Sequence, residues 1–413
     1  MFYPKLFFRL MWAALVAAAL SACGGGGSGG GSSGPAEALP TPTLNNVLAI
    51  SVGAGPPNSG YNVNRLYTSV TVCHPDSRTR CQTIDHVLVD TGSTGLRVFA
   101  STVSALGLNL LSGNGGLPLL NCSQFVDGTF SWGPVATADI VLGGKTAASV
   151  AIQVMADPAF DRASGNCSGG GDPITTPADV GGNGILGIGF FKQDCGEACV
   201  NRAANGFYYT CADSACTTTI ESTASTAKQV KNPVPLFAAD NNGIVIELPA
   251  VNQTGSASLN GSLTFGIGTQ TNNQRTSESV LSTDSMGSIT TWLDGRPMTA
   301  SFIDSGSNGL YFDSRGAIPT CVSARGFYCP SNALTFSATL VGANAASKAV
   351  SFTVDNALPM FTAPFPPVLP NLAGPFGNTN AFDWGLPFFY GRRVFIGIEG
   401  QVSKLGTGPL YAF

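Results

Sequence analysis

Val87-Leu88-Val89-Asp90-Thr91-Gly92-Ser93-Thr94-Gly95-Leu96 returns, little changed, as Ser301-Phe302-Ile303-Asp304-Ser305-Gly306-Ser307-Asn308-Gly309-Leu310. Both stretches read apolar-apolar-Asp-(Thr or Ser)-Gly-Ser-x-Gly-Leu, and about half the chain lies between them. A lone Asp-(Ser/Thr)-Gly triplet is weak, because Asp-Gly turns are common and mostly structural. A whole stretch repeated in matching contexts marks a duplicated unit and predicts two related halves packed about a pseudo-twofold axis.

Outward from these stretches the chain alternates short apolar runs, rich in Val, Ile, Thr and Phe, with Gly, Asn, Asp and Pro turns. LYTSVTV and HVLVD read as strands joined by a loop that Cys73 and Cys81 bracket, a hairpin leading to Asp90. ADIVLGG, SVAIQVM, GIVIEL, SLTFGI, ASFID, ALTFSATL and RRVFIGIE read as further strands, and Asp294-Gly295 supplies a hairpin turn ahead of Asp304. Helical periodicity over several turns is scarce, so the expected fold class is all-β. Strict alternation puts His86 on the same side of its strand as Asp90, where it reads more readily as a satisfied polar residue than as a catalytic base.

Composition narrows the function classes. A chain of 413 residues can bury a large core and divides most naturally into two domains. Charged residues are only 11% of it, well below the roughly 25% usual for soluble chains. The net charge of −4 argues against nucleic acid or an anionic membrane surface as a partner. With just two histidines, His74 and His86, there is no H-E-x-x-H zinc motif. Nor is there a complete G-x-x-x-x-G-K-(S/T) phosphate loop. G-x-S-x-G occurs only in the Gly/Ser repeat around Ser28, with no strand before it or helix after it, so it is not a nucleophile elbow. No cofactor or metal is expected.

The N-terminus reads as an export signal. Lys5 and Arg9 precede an apolar stretch from Leu10 to Leu20, and Leu20-Ser21-Ala22-Cys23 resembles a bacterial lipobox. Cys23 would then carry lipid and become the first mature residue; the alternative is cleavage after Ala19, leaving a spare thiol. Gly24 follows the Cys, so an Asp resembling an inner-membrane retention signal is absent and the outer membrane is the expected anchor. The membrane is met through that lipid alone. The eleven cysteines less Cys23 leave an even set in an oxidising compartment. Cys73/Cys81, Cys195/Cys199, Cys211/Cys216 and Cys321/Cys329 are close in sequence, and Cys122 and Cys167 remain. The quartet 195, 199, 211 and 216 also admits a zinc reading, which the scarcity of His disfavours. The expected organisation is a signal peptide (1–22), a lipidated Cys and Gly/Ser/Pro tether (23–46), an N-terminal lobe (47–235) and a C-terminal lobe (236–413).

The repeated stretch suits a particular chemistry. Amide hydrolysis without metal or covalent intermediate needs one carboxylate to take a proton from water and a second carboxyl to polarise the carbonyl oxygen. Two carboxyls held close cannot both ionise, so they share a proton and titrate as a pair. Gly92 and Gly306 would let backbone N–H groups approach Asp90 and Asp304. Ser93 and Ser307 can donate to the outer carboxylate oxygens, and Thr91 and Ser305 can cross-bond the two loops.

These loops resemble those of the pepsin-like aspartic proteases, and the resemblance extends over roughly residues 60–410. Phe125-Val126-Asp127-Gly128-Thr129 resembles the tip of that family's β-hairpin flap. Asn183-Gly184-Ile185-Leu186-Gly187-Ile188-Gly189 is similar to the apolar element that threads beneath the first catalytic loop. Gly261-Ser262-Leu263-Thr264-Phe265-Gly266 resembles the strand opening the second lobe, and Trp384-Gly385-Leu386-Pro387-Phe388-Phe389 resembles the second threading element. The chain as a whole also looks like a bacterial lipoprotein family of unknown function. The resemblance implies a bilobal fold with a central cleft, Asp90 and Asp304 as catalytic residues, and a flap contributed by Phe125, Asp127 and Gly128. Where the family carries a flap Tyr bonded to a Trp, this chain has Phe125 and Arg97. Arg97 is expected either near the cleft, pairing with a carboxyl or an acidic substrate side chain, or on the surface if the alignment is shifted.

The resulting expectation is an aspartic-type endopeptidase acting on extended polypeptide, monomeric because the cleft lies within one chain. The alternatives are a non-catalytic envelope lipoprotein that binds a peptide or glycan in the same cleft, and a purely structural envelope protein.

Overall fold

The computed structural model describes residues 45–413 apart from 58, 61, 78, 203–205, 213–214, 219–222 and 362–365. The expected signal peptide, Cys23 and the tether up to residue 44 lie outside the described residues. Strand accounts for 44% and helix for 12%, so the chain is predominantly β. The helical pieces are single turns such as Ala100–Val103 and Pro177–Val180.

Two sheets carry the architecture, one of 17 strands and one of 7. The larger crosses the expected boundary at residue 235. Its first strand, Val47–Val52, pairs antiparallel with Leu259–Phe265 in continuous register from Val47 opposite Thr264 to Val52 opposite Leu259. Gly243–Leu248 and Arg392–Gly397 extend it. The smaller sheet is built from strands between Ile289 and Trp384. A single apolar cluster runs through both, from Ile50 to Phe413.

One local arrangement occurs twice. In the first half the hairpin Leu66–Cys73/Cys81–Asp90 is bridged by Cys73–Cys81, and Thr94–Phe99 returns after Asp90. Gly184–Ile188 slots between, parallel to Cys81–Asp90 and antiparallel to Thr94–Phe99. In the second half Ile289–Leu293 turns through Asp294 (φ 50°) and Gly295 (φ 73°) into Arg296–Ile303, positive φ at both positions being the tight-hairpin geometry. Phe382–Trp384 then slots between Arg296–Ile303, parallel, and Leu310–Phe312, antiparallel. Both threading strands are fully buried, which is why Gly184–Ile188 reads as a continuous apolar run instead of alternating. Each ends on a glycine under a loop: a Cβ on Gly189 would lie 2.5 Å from the Thr91 carbonyl oxygen, and one on Gly385 2.1 Å from that of Gly309.

The alternation expected of His86 fails. His86 has φ 49° and the pairing register shifts between Thr68 and Val70, so a bulge interrupts the strand and breaks the two-residue period before Asp90. The His86 ring packs edge-on to Tyr67 and its Nδ1 lies 3.1 Å from Asp85 Oδ2. The cysteine quartet resolves into the disulfides Cys195–Cys199 and Cys211–Cys216, not a zinc site. Cys321–Cys329 and Cys122–Cys167 also form.

Cys122–Cys167 closes a segment of 45 residues and Cys195–Cys199 one of 4. Loop-closure entropy then predicts that replacing the Cys122–Cys167 pair by Ser costs about 4 kcal/mol, against about 2 kcal/mol for Cys195–Cys199. Urea unfolding of the two double variants measures the difference; equal losses would contradict the entropic account.

Candidate active site

Asp90 and Asp304 end the two hairpin strands that the threading strands support, and each is 8% exposed. Their loops are bonded reciprocally. Thr91 N–H donates to Ser305 Oγ at 3.2 Å and Ser305 N–H donates to Thr91 Oγ1 at 2.9 Å. The same hydroxyls donate onward across the pair, Thr91 Oγ1 to the Ile303 carbonyl at 3.2 Å and Ser305 Oγ to the Val89 carbonyl at 2.7 Å. Each hydroxyl thus gives one proton and receives one, with nothing left unsatisfied in a buried place.

This cross-bonding brings the carboxyls together. Gly92 N–H lies 2.8 Å from Asp90 Oδ1 and 3.1 Å from Asp304 Oδ1, so the two inner oxygens converge on one amide. Gly306 N–H donates to Asp304 Oδ1 at 2.7 Å. The outer oxygens take hydroxyls: Ser93 donates to Asp90 Oδ2, and Ser307 Oγ lies 2.9 Å from Asp304 Oδ2. A Cβ on Gly92 would stand 2.6 Å from Asp304 Cγ, and one on Gly306 2.7 Å from Asp90 Oδ1. Only glycine permits either loop to approach the opposite carboxyl this closely. Asp90, Thr91, Gly92, Ser93, Asp304, Ser305, Gly306 and Ser307 therefore form one cluster.

Burial, and next the negative charge of Asp90, push the Asp304 carboxyl up from the ordinary 3.8 to about 8. Two carboxyls in this position hold one proton between them. Such a pair presents an acid and a base side by side.

The expected flap residues form a hairpin tip between Leu119–Gln124 and Thr129–Leu142. Phe125 N–H donates to the Thr129 carbonyl at 2.9 Å, and Asp127 Oδ1 accepts from Thr129 N–H and Oγ1–H at 2.9 and 2.7 Å. Gly128 takes φ 88°. The Asp127 charge is close enough to Tyr311, in the strand leaving the second loop, to help raise its phenol. Phe125 does not stand free: its half-buried ring packs against Phe99, Met155 and Ile174, and Val126 is the apolar residue exposed at the tip.

Arg97 requires a correction. At 1% exposed it is buried away from the surface and from a substrate, and of the expected roles it takes the pairing with a carboxyl. It lies beneath the first loop, donating to the Thr94 carbonyl at 2.6 Å and pairing with Asp194 at 3.4 Å. Asn121 Nδ2 and the Tyr208 hydroxyl also donate to Asp194, at 2.9 and 2.6 Å. Burial nonetheless pushes Asp194 up to about 6, against the opposing pull of Arg97.

Three site residues went unread in the sequence. Arg65 donates to the Gly306 carbonyl at 3.1 Å, and Tyr311 follows the second loop. Asp383 sits in the second threading strand with its Oδ2 2.6 Å from Ser307 Oγ. Asp383 had a signal, a carboxyl inside the apolar run Phe382-Asp383-Trp384; Arg65 and Tyr311 had none beyond position.

A family sequence model described as a protein of unknown function, DUF3443, matches residues 42–413. The chain belongs to the DUF3443 family. The match takes in both Asp loops, both threading strands and the hairpin of residues 119–142. No curated protein matches this DUF3443 chain.

Two outcomes follow from the site. Replacing Arg97 by Met leaves Asp194 buried without its cation, a loss of about 3–5 kcal/mol, measured by urea unfolding; a loss below about 1 kcal/mol would show that the pair is dispensable. Asp304 binds its proton more tightly folded than unfolded, so its contribution to stability is full below pH 3.8 and disappears as pH rises through about 8. Asp304→Asn should therefore gain stability relative to the unaltered protein as pH rises across that window. A constant difference would mean the folded carboxyl titrates normally.

Proposed function

We propose that this protein is an aspartic-type endopeptidase with a pepsin-like, bilobal fold. The observation that carries the reading is the convergence of Asp90 Oδ1 and Asp304 Oδ1 on the Gly92 amide, at 2.8 and 3.1 Å. In a pair sharing one proton, the ionised carboxyl takes a proton from water as the oxygen attacks the peptide carbonyl, and the protonated carboxyl donates to that carbonyl's oxygen. Collapse of the tetrahedral species returns a proton to the leaving nitrogen. Hydroxyl and amide donors on both carboxyls hold them in place during the exchange. The repeated hairpin-loop-threading arrangement supports a duplicated, two-lobed ancestry with lobes at 47–235 and 236–413. The hairpin tip at residues 125–128 would cover an extended polypeptide. The lipobox-like Leu20-Ser21-Ala22-Cys23 supports tethering through lipid to the outer membrane.

A second reading, a peptide- or glycan-binding cleft without hydrolysis, rests on Phe125. Its ring is turned into its own half and it has no hydroxyl with which to orient a flap.

Casein digestion by the full-length chain from pH 3 to 8, with and without pepstatin, tests the proposal. Cleavage that Asp90→Asn and Asp304→Asn each lower at least about a hundredfold is expected, since either change removes half of an acid–base pair. Equal cleavage by the two variants and the unaltered chain would assign the activity elsewhere. Folded protein that cleaves nothing at any pH would favour the binding reading.

A further inference from the structure

One carboxyl beside the dyad is not used in the reaction just proposed. Asp383 is 1% exposed. In its threading strand it stands opposite Phe302 on one side and Tyr311 on the other. Its Oδ2 lies 2.6 Å from Ser307 Oγ, and that same Oγ lies 2.9 Å from Asp304 Oδ2. Among the described residues its Oδ1 has no hydrogen-bond partner. The register counterpart of Asp383 in the first half is Ile185, opposite Leu88 and Arg97, so the feature belongs to the second loop alone.

Proton counting constrains the arrangement. A hydroxyl has one proton to give, so Ser307 can donate to one of the two carboxyls and must accept from the other. Asp304 has amide donors from Gly92 and Gly306 in addition to Ser307. Asp383 has Ser307 on one oxygen and no partner among the described residues on the other. A buried carboxylate with an unsolvated oxygen is the more costly anion. Apart from the Ser307 hydrogen bond, which favours the anion, the groups acting on it do not relieve that cost. Asp304 and Asp90 add negative charge, Tyr311 and Tyr411 are neutral phenols, and Arg65 acts on Tyr311. Burial and then the Asp304 charge hold Asp383 well above the usual carboxylate range.

We propose that Asp383 is a third, permanently protonated acid of the site, donating from Oδ2 to Ser307 and so aiming the Ser307 hydroxyl proton at Asp304 Oδ2. It is a positioning residue, acting on Asp304 through Ser307. A hydroxyl that is itself receiving a hydrogen bond is a stronger donor, and this offsets part of the burial penalty on ionised Asp304. The proposal rests on the dyad being the reaction centre.

Two variants and two readouts test it. Asp383→Asn keeps an N–H donor toward Ser307, and Asp383→Leu keeps the approximate shape without a donor. In casein digestion, the alkaline limb of the pH profile should stay in place for the Asn variant. It should move up by about one pH unit for the Leu variant, because Asp304 loses a strengthened donor. A downward move of that limb in both variants would show that Asp383 carries a negative charge, and would overturn the proposal. The second readout needs no catalysis. In the full-length chain with carboxyl-13C aspartate, the resonance that disappears in the Asn variant should keep its carboxylic-acid shift from pH 3 to 8. Its movement to a carboxylate shift within that range would overturn the proposal even if no casein is cleaved. Failure of cleavage alone would instead count against the function proposed for the dyad.

Discussion

Two carboxyls that repel each other are held face to face, out of water, by hydrogen bonds passing between sequence-distant loops. Thr91 and Ser305 carry this constraint, each hydroxyl accepting from the opposite loop's amide and donating to a carbonyl on the opposite strand. The exchange explains the residue types: Thr and Ser hydroxyls can give one hydrogen bond and receive another at once. It also explains the surroundings. Loops this close need glycine where each faces the other's carboxyl, and they need rigid strands beneath them, which the buried threading segments supply.

Much of this was legible in the sequence because repetition is a robust signal. The duplicated stretch located both carboxyls, their amide and hydroxyl partners and the cross-bonding pair. Strand composition located Leu66–Cys73, Gly243–Leu248 and Arg392–Gly397 without tertiary information. What stayed hidden depended on three dimensions. His86 lay beyond a two-residue count because a bulge at positive φ is invisible in composition. Arg97 was expected to pair with a carboxyl, to meet an acidic substrate side chain or to lie on the surface; which of these holds was hidden because its partner, Asp194, is distant in sequence and joins it only after folding. The second threading element was read as starting at Trp384, one residue after its buried acid.

The two halves share a plan and differ in how they fill it. At matched register positions the first has Ile185 against Arg97 and the second has Asp383 against Tyr311. Below the first loop a buried ion pair with Asn121 and Tyr208 supports the backbone. Below the second the support is aromatic: Phe382 stacks on Phe312 and on Trp384, with ring centroids 4.8 and 3.9 Å apart. A buried acid, Asp383, lies next to these rings, where an anion without full hydrogen bonding is costly. Asp90 and Asp304 therefore sit in unlike surroundings.

In the function proposed for the dyad, the shared proton is the point on which structure and function meet, and neutron diffraction from deuterium-exchanged crystals at pH 6 observes it directly. The account predicts one deuteron between the inner oxygens of Asp90 and Asp304, and none on their outer oxygens, which receive the hydroxyls of Ser93 and Ser307. Two bare carboxylates, or a deuteron on each carboxyl, would contradict it.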